Sequence, residues 1–198
     1  LSAAFDRFRK KKKHEELDRF EEEQSAWLPE LALFTALKGK FSGASWNRWP
    51  RELRDREPEA LEQAAKSLER EVAYAKFLQF VFFRQWQALK RYATENLVQL
   101  VGDVPIYVTY DSCDAWTHPN LFKLNEHKEP LFVAGVPPDC FSKTGQRWGN
   151  PVYRWDALKE SGYQLWLTRL EHNLRLFDLV RIDHFRGFLA YWEIPAHE

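Results

Sequence analysis

The sequence predicts an α/β fold in which a helical first half precedes a second half of parallel strands and helices. Residues 1 to about 96 carry apolar side chains at the 3.6-residue period of amphipathic helices. After residue 97 the pattern changes to short β-branched runs, two of which are separated by a helical pattern at about 155–177. A strand, a connecting helix and a second strand form the βαβ unit from which parallel sheets are built.

Composition narrows the classes of protein that need to be considered. The 198 residues carry 29 basic and 29 acidic side chains, so the net charge gives no argument for a nucleic-acid or anionic-membrane partner. The sequence contains neither an apolar run of the roughly 18 residues that span a bilayer nor an opening signal-peptide pattern, which predicts a cytoplasmic protein. Six histidines show no metal-site spacing, and two cysteines are too few for a disulfide scaffold.

Two features of the composition are unusual. Nine Trp, seven Tyr and fifteen Phe make 16% of the chain aromatic. Aromatic rings stack on the apolar faces of sugars, so this content favours a search for a carbohydrate site. The chain has no Met and begins within a helical pattern at Leu1, which we interpret as an internal segment of a longer protein.

Three helical patterns precede residue 96. The first covers 5–20, and nearby glutamates make its Lys10–Lys13 run a solvated helix face rather than a phosphate patch. Pro29 starts a second helix over 30–38, followed by a loop rich in Gly, Ser and Trp. The third pattern, over 58–96, continues for so many turns that we expect a bend within it.

Short apolar runs in the second half predict strands buried on both faces. The runs Leu97–Val101 and Val104–Val108 predict the first of these strands, and Leu179–Asp183 predicts the second. The segment at about 134–151 is rich in Pro and Gly, and we expect it to form a long ordered loop with a functional role. Because ligands of parallel sheets bind at the carboxyl ends of strands, functional residues are expected there and in the loops that follow.

The strongest local signal for chemistry is the pair Arg181 and Asp183. Side chains alternate along a strand, so these two residues share one face. An Arg beside an Asp favours the ionised carboxylate, and retaining glycosidases and transglycosidases use such a carboxylate as nucleophile. On spacing alone, a structural ion pair is an equally supported alternative.

The Pro- and Gly-rich segment carries a second set of candidates for sugar binding. Phe141 and Trp148 are suited to stack on sugar rings, while Asp139 and Gln146 are suited to bind hydroxyl groups. The alternative is a lid that is packed only by its own aromatic residues.

A weaker signal follows the first predicted strands. Asp103 and Asp111 lie in or after them, although Asp111 or Ser112 is also suited to cap a turn. The sequence contains no G-x-G-x-x-G, phosphate-binding P-loop or G-x-S-x-G motif, so dinucleotide, nucleotide and serine-hydrolase chemistry have no support.

Three long stretches of the second half carry a resemblance to a known family. They are GDVPIYV with DSCDAW, AGVPPDCFSKTGQRWGNPVYRWD, and FDLVRIDHFRGFLAYWEIPA. In this order they resemble the 4-α-glucanotransferases of glycoside hydrolase family 77, to which WLPELALFTALK, SWNRWP and FVFFRQW are also similar. The resemblance implies a partial (β/α)8 TIM barrel, about two strands of it, with a large helical insertion. In that scheme 1–96 is the inserted helical subdomain, and 97–198 is a βαβ portion of the barrel with a substrate-covering loop at about 134–151.

The resemblance also implies a function. It is the transfer of α-1,4-glucan segments between maltooligosaccharide or starch-type chains, without metal or organic cofactor, by retaining double displacement through a covalent glucosyl-Asp183 intermediate. Arg181 and His184 would be neighbours that bind the nucleophile or the donor sugar. The substrate-binding residues implied are Asp139, Phe141, Gln146 and Trp148 in the covering loop, with Asp103 and Asp111 on the floor.

The sequence departs from the family pattern in places. Cys140 stands where Tyr is usual and Cys113 where Ala is common, which leaves acceptor preference open. The family's general acid and third carboxylate lie beyond Glu198, and Glu193 matches neither motif. We therefore expect the isolated 198 residues to be inactive. The alternatives are a non-catalytic α-glucan-binding module and an amylase-like hydrolase.

Overall fold

The computed structural model describes residues 1–10, 14–140 and 142–197. It contains both helices and strands, so the predicted α/β class is confirmed. The chain divides into two compact units, Leu1–Leu89 and Lys90–Glu198. No helix in the described ranges is both long and apolar enough to cross a membrane.

The first unit is built from helices around an aromatic core. The buried ring of Phe5 lies 5.3 Å from that of Phe77, and the ring of Phe20 lies 5.3 Å from that of Phe83. Trp46 is fully buried. The helices are α1 (Ser2–Arg9), α2 (Glu15–Glu23), α3 (Leu28–Lys40), α4 (Arg51–Arg54), α5 (Pro58–Ser67) and α6 (Glu69–Glu95), which continues past the end of the unit.

The helical period predicted these elements better than it predicted their ends. The pattern over 5–20 is divided between α1 and α2, and Lys11–Lys13 of the basic run lie outside the described residues. The expected bend within 58–96 occurs at Leu68, between α5 and α6. Pro29 lies in the first turn of α3, where its missing N–H costs no helical hydrogen bond.

The described residues of the second unit form two sheets. Its elements are β1 (Val101–Val104), α7 (Cys113–Thr117), β2 (Phe132–Val136), β3 (Gln146–Pro151), α8 (Trp155–Glu160), α9 (Gln164–Leu176), β4 (Leu179–Ile182) and β5 (Trp192–Pro195). Strands β1 and β4 pair in parallel, whereas β3, β2 and β5 form an antiparallel sheet in that order.

The predicted helix over 155–177 is interrupted in the structure. Gly162 and Tyr163 both have left-handed backbone conformations, with φ of +64° and +58°, and they separate α8 from α9. The chain then enters β4, so α8 and α9 form part of the connection that brings β4 alongside β1. Right-handed helices cannot continue through two such residues, which explains the break.

The first predicted strand is present but shorter than expected, and two other expectations about the strands were wrong. Of the runs Leu97–Val101 and Val104–Val108, pairing covers only β1, because Pro105 has no N–H to continue it. The face of β4 that carries Arg181 is exposed rather than buried. The segment 134–151 is not one long loop, because β2 and β3 occupy half of it and leave a connection of 137–145.

Candidate active site

Two parallel strands bring three charged side chains together at their carboxyl ends. In the register of β1 and β4, Asp103 lies opposite Arg181. The Arg181 guanidinium donates from Nε to Oδ1 of Asp103 at 2.9 Å and from Nη2 to Oδ1 of Asp183. The backbone N–H of Asp183 donates to the Val104 carbonyl at 2.9 Å, so the sheet also fixes the residue after β4. One guanidinium therefore orients two carboxylates from neighbouring strands.

The electrostatics of this trio follow from the shared guanidinium. The hydrogen bond from Arg181 to Asp103, together with the charges of Asp103 and Asp183, raises the Arg181 pKa above its ordinary value. The side chains of Arg181, Asp103 and Asp183 are 62%, 59% and 57% exposed. The arrangement thus offers two oriented carboxylates that a solute can approach, which suits a nucleophile better than it suits a buried structural pair.

His184 follows Asp183 in a turn after β4. Its backbone is left-handed, with φ of +51°, and the turn continues into a short 3-10 helix, Phe185–Phe188. A Cβ on Gly187 would lie 3.0 Å from the His184 ring and 2.5 Å from Cδ1 of Ile106, so only Gly leaves room for this ring position. The Nε2 atom of His184 is buried and has no hydrogen-bond partner among the described residues.

Strand β3 places an indole against that imidazole. The rings of Trp148 and His184 meet edge to face, with centroids 5.2 Å apart and planes at 85°. Trp148 donates from Nε1 to Oε1 of Gln146 at 3.0 Å and is 39% exposed. The Asn150 amide on the same strand donates to the Val108 carbonyl at 2.9 Å. The indole is therefore held at its edge, while part of its surface stays accessible to a ligand.

The other predicted site residues lie on separate loops. In the connection between β2 and β3, an oxygen of Asp139 accepts a hydrogen bond from the Ser142 backbone N–H at 2.8 Å. Phe141 lies outside the described residues. Asp111 is half-buried ahead of α7, and it is Ser112 that caps this helix by accepting from the Ala115 N–H at 3.3 Å. The structure thus joins Asp103, Arg181 and Asp183 in one group and Gln146, Trp148 and His184 in another.

Sequence reasoning missed Tyr107, which lies just beyond β1. Its ring contacts Trp148 at 6.3 Å, Tyr191 at 5.9 Å and Tyr153 at 6.1 Å between centroids. Burial, with smaller contributions from Tyr191, Glu193 and Tyr153, raises the Tyr107 pKa. The sequence signal was an aromatic residue at the carboxyl end of a strand run, but nothing local indicates its partners.

The described residues supply no alternative metal or disulfide chemistry. No group of three or more His, Cys, Asp and Glu side chains in the described ranges is arranged to hold a metal ion. Cys113 and Cys140 form no disulfide bond.

The sequence is similar to those of known proteins over its whole length. The profile of a family described as 4-α-glucanotransferase, glycoside hydrolase family 77, matches residues 1–198. A 4-α-glucanotransferase of Thermus thermophilus is 54% identical over 99% of this chain, and one of Aquifex aeolicus is 50% identical over 100%. This chain spans 40% of the length of each of these relatives.

A solved structure is similar as well. It is an amylomaltase from Streptococcus agalactiae in complex with acarbose, with a TM-score of 0.88 and 42% sequence identity. The match covers 92% of this chain and 37% of that one.

Proposed function

The chain belongs to the 4-α-glucanotransferase family, glycoside hydrolase family 77, and on this premise we propose that it carries the nucleophile of a glucan-transferring enzyme. The full-length protein would transfer α-1,4-glucan segments between maltooligosaccharide or starch-type chains. Acarbose, a sugar-like ligand bound in the similar amylomaltase, supports a site for a chain of sugars. Since the chain spans about 40% of its relatives, this activity is proposed for the whole protein.

The observation that carries the proposal is the guanidinium of Arg181 shared between Asp103 and Asp183. In the first step a carboxylate oxygen of Asp183 attacks the anomeric carbon of the donor sugar. The glycosidic C–O bond breaks, and the leaving chain takes a proton from a general acid. An acceptor hydroxyl then attacks the glucosyl ester, gives up its proton to the same acid–base group and frees Asp183. Arg181 orients the nucleophile through its hydrogen bond to Oδ1 of Asp183.

Two other carboxylates of the second unit, Asp103 and Glu193, are poorly suited to act as the general acid. Such an acid must be placed to donate to the leaving oxygen, whereas Oδ1 of Asp103 already accepts a hydrogen bond from the Arg181 guanidinium. Glu193 is paired with Lys123 at 2.5 Å. We therefore propose that the general acid lies outside the 198 residues and that these residues alone do not turn over substrate.

The sugar contacts are proposed for the group around Trp148. Its partly exposed indole offers a face for a sugar ring, and His184 beside it would contact the donor. Gln146, Asp139 and Phe141 would complete the cover over donor and acceptor sugars, while Asp103 and Asp111 would form the floor. The parallel pairing of β1 and β4 supports their assignment as two neighbouring strands of a (β/α)8 barrel.

The test is a product profile of the full-length protein incubated with maltotriose, with and without Asp183→Asn. Transfer gives glucose together with a ladder of chains longer than maltotriose. Asp183→Asn should abolish turnover and leave sugar binding nearly unchanged. The matched control is Asp156→Asn, an exposed carboxylate on α8 whose ion pair at 3.7 Å is loose, and it should retain full activity.

Four outcomes would overturn parts of the proposal. Turnover by Asp183→Asn would reject the nucleophile, and glucose and maltose without a ladder would indicate an amylase-like hydrolase. Unchanged maltotriose with the unsubstituted full-length protein would favour a binding module. The same assay on the isolated 198 residues should give no products, and any ladder there would refute the proposed need for an outside acid.

A further inference from the structure

The aromatic ring of Tyr107 lies in the core of the second unit beside one group of candidate site residues, that of Gln146, Trp148 and His184. It contacts Trp148 at 6.3 Å with planes at 61°, and Trp148 in turn contacts His184. These distances and tilts lie within the range in which aromatic pairs attract each other. Only 5% of the Tyr107 surface is exposed, so its ring contacts the Trp148 indole from the protein interior rather than from the solvent side.

The segment that carries Tyr107 is itself held by several side chains. Arg169 on α9 donates to the Pro105 carbonyl at 2.7 Å, and the Tyr153 hydroxyl donates to the Ile106 carbonyl at 2.8 Å. Asn150 donates to the Val108 carbonyl at 2.9 Å, which ties β3 to the same segment. The backbone around Tyr107 is therefore held in place, and its ring gives the Trp148 side chain a fixed surface to pack against.

We propose that Tyr107 is a positioning residue, which holds the Trp148 indole edge to face against His184 and thereby sets the sugar-stacking surface of the site. This inference rests on the proposed function for its effect on catalysis. Tyr107 touches neither the carboxylates nor the proposed position of the sugar. It acts through Trp148 and is distinct from the substrate-binding residues predicted from the sequence.

The ring, and not the hydroxyl, performs this role. The hydroxyl oxygen is buried without a hydrogen-bond partner among the described residues, so its removal breaks no hydrogen bond. Tyr107→Phe should therefore keep the position of Trp148, whereas Tyr107→Leu removes the aromatic edge contact. Where the Leu variant does not fold, Tyr107→Met replaces it, because a flexible thioether fills the volume of the ring without its geometry.

The first measurement is steady-state transfer by the full-length protein with maltotriose. An aromatic pair contributes enough binding free energy for its loss to change affinity about 2- to 12-fold. Tyr107→Leu should raise KM for maltotriose by this factor and keep kcat within about twofold. Tyr107→Phe should resemble the unsubstituted protein. The control is Phe122→Leu, a buried ring that stacks on Tyr153 at 5.2 Å, which should lower the melting temperature and leave KM unchanged.

The second measurement does not depend on activity. In protein labelled with 5-fluorotryptophan, the fluorine resonance of Trp148 is assigned by its loss in Trp148→Phe. Tyr107→Leu should shift that resonance, and Tyr107→Phe and Phe122→Leu should not. If Tyr107→Leu leaves both the resonance and KM unchanged, or if Tyr107→Phe raises KM as much, the inference is refuted. If no variant transfers glucan but the resonance shifts, the proposed function fails while the positioning role stands.

Discussion

Replacing Arg169 by Ala should destabilise the second unit by about 2–4 kcal/mol. The guanidinium donates from Nη2 to the Pro105 carbonyl at 2.7 Å, and from Nη1 to the Ile106 carbonyl at 3.3 Å and the Tyr153 hydroxyl at 3.0 Å. It also lies over the ring of Trp166, 4.5 Å from its centroid. One side chain on α9 thus ties a helix to the segment that follows β1.

The magnitude is smaller than the sum of the separate contacts. A hydrogen bond from a charged donor contributes about 1.5–3 kcal/mol, and a cation–π contact about 0.5–2 kcal/mol. Water replaces part of the bond to Pro105, which is exposed, and the Ile106 carbonyl keeps the hydroxyl of Tyr153 as a donor. Because these contacts share one guanidinium, their losses do not add.

The assay is amide hydrogen exchange followed by mass spectrometry, which reports the opening free energy of β1 and β4 separately from the first unit. Arg154→Ala is the control, since this side chain is 47% exposed and pairs with Asp156 at 3.7 Å, and it should change stability by less than about 0.5 kcal/mol. Arg169→Lys keeps the charge but loses the planar fork, so it should resemble the Ala variant. Full stability of Arg169→Lys, or equal effects of Arg169→Ala and Arg154→Ala, would refute the reasoning.

Two further predictions concern alkaline stability and packing. Burial raises the pKa of Tyr153 to about 12. The unfolded chain therefore loses this proton first, near pH 10, and the contribution of Tyr153 to stability, complete below pH 10, should fall by about 1.4 kcal/mol per pH unit up to pH 12. Burial raises the pKa of Tyr107 and Tyr191 as well, so urea midpoints measured against pH should show a steeper total slope, which Tyr153→Phe should reduce by this share; an unchanged slope in that variant would contradict the assignment. Gly102→Ala would place Cβ 2.3 Å from a ring carbon of Phe177 and should cost about 1–3 kcal/mol by thermal unfolding. Gly39→Ala in α3 meets nothing within 4 Å and should stabilise the protein by roughly 0.5–1 kcal/mol; if the two variants had equal effects, crowding at Gly102 would be ruled out.

The helices were predictable because their signal is local. Apolar spacing over 58–96 indicated both the helices and a bend, which the structure has at Leu68. The strands were less predictable because an apolar run does not state which of its residues pair. The runs on either side of Gly102 supplied one strand, and its limits are set by pairing with β4, whose sequence lies more than 70 residues away. Strand β5 was missed for the same reason, since β2 is its partner.

In the candidate site, too, local sequence patterns predicted one part, while the rest depends on contacts between segments that are distant in sequence. Alternation along one strand predicted that Arg181 and Asp183 share a face, and the structure joins them by a hydrogen bond. That Asp103 accepts from the same guanidinium depends on the register between β1 and β4, which no local pattern contains. Trp148 lies on β3 and His184 in the turn after β4. Their contact therefore depends on how these distant segments fold together, and no local sequence pattern indicates it.

The same register distinguishes the two carboxylates that share Arg181. Asp103 lies level with Arg181, whereas Asp183 lies two residues further along β4 in the direction of the carboxyl ends. At about 3.3 Å per residue, this places Asp183 some 7 Å nearer to the edge where ligands of parallel sheets bind. The sheet still fixes its backbone through the Val104 carbonyl, and the left-handed turn at His184 then takes the chain away. The two carboxylates are similarly exposed, so it is this position nearer the ligand-binding edge that favours Asp183 over Asp103 as the proposed nucleophile.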